Sequence, residues 1–292
     1  MRFDNVTYDR LYCQKLYPSG RWTTKKLWLP ATLVAALAAM GLALGLLSPQ
    51  PASSIHTLGG ALLPDLVTLP PKDLSIQVIN GQTRVAFDNE IGNDHTGPLE
   101  VFPEKIPASG DTDDCNGDGI ATNDRKAYQR VYQDKNNDGI YKRGADKRSE
   151  IFPAGCMVFH PAHDHWHFDL AKYELTELDG TGVASSGKVS FCIADVWHFN
   201  PGLPGSPNAP FYNRCGQNST QGLSVGWSDE YPSTVAGQYI VINGVADVDY
   251  CLVSTADPAN NLQETNNDNN SAAIKIRLAG STVTVLSSSG CP

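Results

Sequence analysis

The chain is 292 residues long and carries 22 Lys and Arg against 31 Asp and Glu, a formal net charge of −9. That length would admit two average domains, but all-β units often run well over about 200 residues, so one domain plus a terminal segment is enough. The acidic balance leaves no basic footprint, and nucleic acid is not expected as a partner.

Residues 1–26 hold Arg2, Arg10, Lys15, Arg21, Lys25 and Lys26 against Asp4 and Asp9. An uncharged run from Leu27 to Leu47 follows, long enough as a helix to cross a bilayer core of about 30 Å, with Pro30 in its first turn. Positive flanks stay inside. The expected organisation is a cytoplasmic leader over 1–26, a transmembrane signal anchor over 27–48 and a linker over 49–63. An extracellular domain over 64–292 completes it, with the membrane as partner of the helix. A cleaved signal peptide is the alternative, since Ala52, Ser53 and Ser54 are small, and the domain would then be secreted. Cys13 falls on the inner side and leaves Cys115, Cys156, Cys192, Cys215, Cys251 and Cys291, an even set for disulfides in an oxidising compartment. Pairing of sequence neighbours, such as Cys192 with Cys215, is one connectivity among many, and no CxxC pair argues for zinc.

From Pro64 the chain reads as short strands. Leu74 to Ile79 and Thr83 to Phe87 flank Asn80-Gly81, a hairpin signature. Between about 111 and 146 the composition turns to Asp, Asn and Gly, and a motif repeats twenty residues apart. Asp114, Asn116 and Asp118 precede one glycine; Asp134, Asn136 and Asp138 precede the other. Both fit the first half of an EF-hand loop, where oxygen ligands wrap calcium, but Arg125 and Ala145 stand where the closing glutamate belongs. They are candidate calcium loops, with plain Asx turns as the alternative. Arg125, Lys126, Arg130, Lys142, Arg143, Lys147 and Arg148 make the same region locally basic, expected as a solvated surface, with a lid or docking loop as the alternative.

The run from Cys156 to Leu175 is the densest chemical signal. It holds His160, His163, His165 and His167, four of the seven histidines. Side chains two apart on a strand share a face, so His163, His165 and His167 are expected on one side and Asp164, Trp166 and Phe168 on the other. Three imidazoles on one face point to a metal. Copper(II) binds such ligands most tightly among the divalent candidates, and zinc is the alternative. The outer two start roughly 13 Å apart at the backbone, so convergence needs a twist or bulge. Later strands are expected at Gln238 to Asn243, Val248 to Thr255, Ala272 to Leu278 and Thr282 to Leu286. Many short strands with no helix outside the apolar run predict a mainly β fold, a β-sandwich with long loops.

Four blocks together resemble the lysyl oxidase family of copper amine oxidases. His160-Pro161-Ala162-His163-Asp164-His165-Trp166-His167 is similar to its copper motif, whose last three histidines are ligands. Gly187-Lys188-Val189-Ser190-Phe191-Cys192-Ile193-Ala194-Asp195, Gln221-Gly222-Leu223-Ser224 through Asp229-Glu230-Tyr231, and Glu264 through Asn270 are similar to three further blocks in the family's order. The resemblance covers roughly Pro64 to Leu278, with the Asp/Asn-rich stretch as an insertion relative to the animal proteins. It implies copper on His163, His165 and His167, and a lysine tyrosylquinone made from Lys188 and Tyr231. Copper and oxygen would oxidise the tyrosine ring, and the lysine amine would add to it. The activity implied is oxidation of primary amines, small or on protein lysines, to aldehydes with release of hydrogen peroxide and ammonia. Asp229, two residues from Tyr231, is the candidate base, and would need its pKa raised toward neutrality.

The resemblance also implies a structural calcium ion on Asp65, Leu66 through its carbonyl, Glu264, Asn266, Asn269 and Asn270, with an Asn-rich turn as the plainer reading. Two departures stand out: Ala162 replaces a family cysteine, and Lys172 stands where the animal enzymes carry a further histidine. A copper- and calcium-binding module that never forms the quinone is the competing function.

Overall fold

The computed structural model describes residues 60–105, 114–117, 119, 123–161 and 164–292, and of Gly187 and Lys188 the backbone alone. The leader, the expected anchor and most of the linker lie outside the described residues, as do Asp118 and His163. Among the described residues no helix is long and apolar enough to cross a membrane.

The chain begins with β1 (Ala61–Leu62), β2 (Leu66–Thr68), β3 (Lys72–Ile79), β4 (Gln82–Asn93) and β5 (Leu99–Pro103). The middle supplies β6 (Asp124–Gln133), β7 (Ser149–His160), β8 (His165–Thr176) and β9 (Gly182–Phe191). It ends with β10 (Gln221–Leu223), β11 (Ser228–Tyr231), β12 (Tyr239–Val241), β13 (Asp249–Ala256), β14 (Ser271–Ala279) and β15 (Thr282–Ser287). Ten of them form one antiparallel sheet in the order β10-β5-β6-β7-β8-β13-β14-β15, with β1 on β6 and β9 on β8. The other five form a smaller sheet centred on β4, which pairs with β2, β3, β11 and β12.

The β3–β4 hairpin turns at Asn80 (φ 54°) and Gly81 (φ 78°). Two successive left-handed residues make the turn that matches strand twist, and Asn-Gly is the pair that tolerates it. β4 then carries Val85, Phe87 and Ile91, all fully buried, against Leu170, Tyr173, Leu252 and Ile276 of the large sheet. Phe87 meets Tyr173 edge to face across the layers, ring centroids 4.9 Å apart. Each such side chain contributes roughly 2 kcal/mol by leaving water, so the facing strands hold the two sheets together as a sandwich.

The Asp/Asn-rich stretch differs from its loop-like reading. Between the two Asx-Gly loops runs β6, an interior strand of the large sheet, with Ala127, Gln129 and Val131 buried at alternate positions. The inward set is small and partly polar, which hides its period beneath charged neighbours. Arg125, expected on a solvated surface, is buried, and Arg130 pairs with buried Glu100. Three disulfides, Cys115–Cys156, Cys192–Cys215 and Cys251–Cys291, join each cysteine to its neighbour in sequence and suit an oxidising compartment.

Candidate active site

β7 and β8 form the hairpin that carries the histidines. His160 pairs directly with His165, and Val158 with His167. Opposed residues of an antiparallel pair share a face, so His160, His165 and His167 all stand on one side. Trp166 and Phe168 point into the core, at 4% and 1% exposure. The strand begins at His165, however, and Asp164 lies in the turn at φ 55° rather than on the opposite face. The ring of His160 stacks on that of His167, with centroids 3.9 Å apart and planes 18° from parallel.

A register shift on β8 between Asp169 and Ala171 decides what else shares this face. Leu170 and Ala171 are buried in succession, and beyond them Tyr173 and Leu175 face the core. The shift changes the inward parity from even to odd, as a bulge does. Lys172, which would otherwise point inward like Trp166, therefore joins the histidine side, where it pairs with Glu174 at 2.7 Å. Lys188 on β9 holds the register position opposite Lys172. His160, His165, His167 and the backbone position of Lys188 thus lie on three adjacent strands, β7, β8 and β9.

Asp229 and Tyr231 belong to the smaller sheet, on β11, where they pair with Ile91 and Asn89 of β4. Alternation turns both inward, and both are buried. The Tyr231 ring stacks on Phe191 at 3.6 Å, just past Lys188 along β9. Its hydroxyl reaches Asp229 Oδ2 at 2.5 Å and also the carbonyl of Cys192. One phenol proton cannot serve two acceptors, so the arrangement is best satisfied when Asp229 carries a proton of its own. Burial pushes the Asp229 carboxyl up to about 7. The Tyr231 hydroxyl and the Ala194 N–H, 3.0 Å away, oppose that rise, while the charge of Asp195 adds to it.

Asp195 is the frame of this corner. Its carboxylate accepts the Ser224 N–H and hydroxyl, both at 2.7 Å, and the N–H groups of Phe211 and Tyr212. Burial raises its pKa in spite of them. Gln221 ties the two halves of the site together. Its amide accepts the Ile193 N–H at 3.0 Å and donates to the Trp166 carbonyl at 2.6 Å. The Cys192–Cys215 disulfide and the bridge between His165 and Gly216 fix the same loop against the start of β8.

The structure thus brings Asp229 to Tyr231 and places His165, His167 and the Lys188 position on adjacent strands. The Tyr231 ring packs on Phe191, three residues along β9 from Lys188, whose side chain lies outside the described atoms. Sequence reasoning passed over His160 as a neighbour of the ligands, and saw Asp195 and Gln221 only as motif letters. Their burial was not legible without the partners they hold.

The candidate calcium residues gather between β2 and the loop before β14. Glu264 accepts the Leu66 N–H at 2.6 Å and the Asn270 amide at 3.0 Å, and the Asn269 amide donates to both oxygens of Asp65 at 3.2 Å. Burial pushes Glu264 up to about 7, and the charges of Asp257 and Asp65 push the same way. The Oδ1 atoms of Asn269 and Asn270 are buried without a hydrogen-bond partner. Asn266 is exposed and accepts the Asp268 N–H. In the second Asx-Gly loop, Asp134 caps the Asn136 and Gly139 N–H groups, and Asp138 takes the Asn136 amide and Lys142. In the first, Asp114 caps Gly119, and Asn116 is exposed.

A family model described as lysyl oxidase matches residues 122–288. Among curated proteins, the chain is 26% identical over 170 residues to lysyl oxidase homolog 2A of Danio rerio, covering 58% of this chain and 22% of that protein. It is 27% identical over 128 residues to lysyl oxidase homolog 4 of Mus musculus, covering 43% of this chain and 16% of that protein. Against lysyl oxidase homolog 3A of Danio rerio it is 30% identical over 125 residues, covering 42% and 16%. The chain therefore spans about a fifth of the length of these relatives.

Proposed function

The chain belongs to the lysyl oxidase family, and from that membership we propose that it is a copper-dependent amine oxidase. It would convert primary amines, small or on protein lysines, to aldehydes with release of hydrogen peroxide and ammonia. The observation that carries this reading is the buried Asp229–Tyr231 pair: a carboxyl poised at about 7 sits 2.5 Å from the tyrosine of the expected cofactor. A general base works best with a pKa near the working pH.

The donor chemistry fits the implied metal. His165 and His167 share one face of β8, with His163 outside the described residues, and imidazole suits copper. A quinone built from Lys188 and Tyr231 would supply a carbonyl electrophile and an electron sink. The chain's own residues then bind and shuttle protons. Asp229 Oδ2 takes the proton from the carbon next to the substrate nitrogen, and Asp195 sustains its affinity for that proton. Gln221 and the Cys192–Cys215 disulfide hold the strand ends still. The acidic chain favours approach of a cationic amine. Calcium fits the Asp65, Glu264, Asn269 and Asn270 oxygens, two of which have no other partner, and would tie the first strands to the last. Leu66 through its carbonyl and Asn266 would complete the set, and the Asx-Gly loops remain further candidates.

The competing reading is a copper- and calcium-binding module without the quinone. Redox-cycling quinone staining of the copper- and oxygen-loaded chain decides between them. A stain present in wild type and lost in Lys188→Ala and Tyr231→Phe is expected. Copper-replete wild type that does not stain would establish the module instead.

A further inference from the structure

We propose that His160 is a positioning residue for the metal centre, holding the His167 imidazole by stacking rather than acting as a fourth ligand; this rests on the copper reading above. β7 ends at His160, and its direct cross-strand partner is His165, not His167. The ring nevertheless lies diagonally over His167, with centroids 3.9 Å apart and planes 18° from parallel. Diagonal neighbours across an antiparallel pair are within reach of a ring, and an offset, nearly parallel stack is a favoured aromatic arrangement.

Geometry separates stacking from ligation. The lone pair of an imidazole nitrogen lies in the ring plane and must point at the ion from about 2 Å. Two rings stacked face to face and nearly parallel send their lone pairs along nearly parallel lines, which do not meet at one ion. In this arrangement only one of the pair can ligate, and His167 holds the position at the fixed two-residue spacing from His165. His160 then does two things. It fixes the ring plane of His167 before the metal arrives, and it covers one face of that ring against water. Orienting a metal-binding histidine from outside the ligand set is a recognised way to tune affinity, although the usual device is a hydrogen bond. Here the contact is a ring face, so the requirement on position 160 is aromaticity rather than basicity.

That requirement gives the test. Wild type, His160→Phe and His160→Leu are loaded with Cu(II) as full chains. Copper affinity is read by competition with a chelator, and the site by continuous-wave and pulsed electron paramagnetic resonance, which counts coordinated imidazoles. Phenylalanine keeps a stacking ring with no ligand atom; leucine removes the ring with similar bulk. The expected result is affinity within about 2-fold of wild type for His160→Phe and a loss of about 2- to 10-fold for His160→Leu, the range an aromatic stack supplies. The imidazole count stays the same in all three, and the copper hyperfine lines broaden in the leucine variant alone. A count reduced by one in both variants would make His160 a ligand and overturn the proposal. So would a leucine variant indistinguishable from wild type, or a phenylalanine variant as weak as leucine. Wild type that takes no Cu(II) on these histidines would overturn the copper reading itself, a different result from any of these.

Discussion

Replacing Asp229 by asparagine should flatten the pH dependence of folding stability. Burial moves this carboxyl from 3.8 to about 7, so between those values the folded chain keeps a proton that the unfolded chain has released. A raised folded pKa gives stability that is complete below the unfolded value and lost as pH rises through the folded one. At about 1.4 kcal/mol per unit, a displacement of roughly three units corresponds to on the order of 4 kcal/mol. The side chain is too deeply placed for water to screen much of that, at 3% exposure. Asparagine fills the same space and cannot ionise. Glu264, raised to about 7, gives wild type and variant a slope of the same sign, so only their difference reports on Asp229. The assay is urea unfolding of both proteins in chelator at pH 4 and pH 8.5. Wild type should lose on the order of 4 kcal/mol more than Asp229→Asn across that interval. Asparagine's own cost shifts the whole curve and leaves its slope alone. Parallel curves would refute the reasoning.

The same group predicts the activity profile: kcat/KM for a primary amine, followed by peroxide release, should rise with pH through about 7. In Asp229→Asn it should fall by about 10²- to 10⁴-fold, as expected for a lost general base. Calcium and a proton should compete for Glu264, so calcium should raise the melting temperature by a few degrees at pH 8 and far less at pH 5.5. Equal shifts at the two pH values, or a full shift in Glu264→Gln, would remove the ion from this cluster. Gly222→Ala should open the β10–β5 pairing, because its Cβ would lie 2.1 Å from the Leu99 carbonyl oxygen. The expected loss is about 2 kcal/mol or more by thermal unfolding, and an unchanged melting temperature would contradict it.

What could be read from the sequence was whatever follows from a short period. The Asn80-Gly81 hairpin, the last four strands and the inward turn of Trp166 and Phe168 all rest on two-residue alternation or on one turn type. β6 escaped because its buried set includes Ala127 and Gln129, and no hydrophobicity pattern marks a glutamine as interior before its partner, the Gln263 backbone, is known. The bulge on β8 escaped for a related reason. A single extra residue leaves no compositional trace, yet it moves Lys172 from the core side to the histidine side. Asp229 could be placed beside Tyr231 by alternation alone. Its raised pKa could not, since that depends on burial supplied by β4 and on the charge of Asp195.

Those two contributions also explain why the corner around Asp229 is built so heavily. An aspartate that must ionise to act as a base becomes a buried charge at the moment it is useful, and the same rise in pH that favours activity weakens the fold. The countermeasures near it do not depend on protonation. The Cys192–Cys215 disulfide closes a 23-residue separation beside Tyr231, a constraint of about 3 kcal/mol on the unfolded chain. Gln221, neutral at every pH, holds the Trp166 and Ile193 backbones together. Asp195 is the exception, since its charge raises the Asp229 pKa while its four accepted hydrogen bonds hold the loop. Asp195→Asn should therefore lower the Asp229 pKa and loosen the corner together. Its activity limb would move to lower pH even as the melting temperature falls, a pairing that loss of packing alone would not produce.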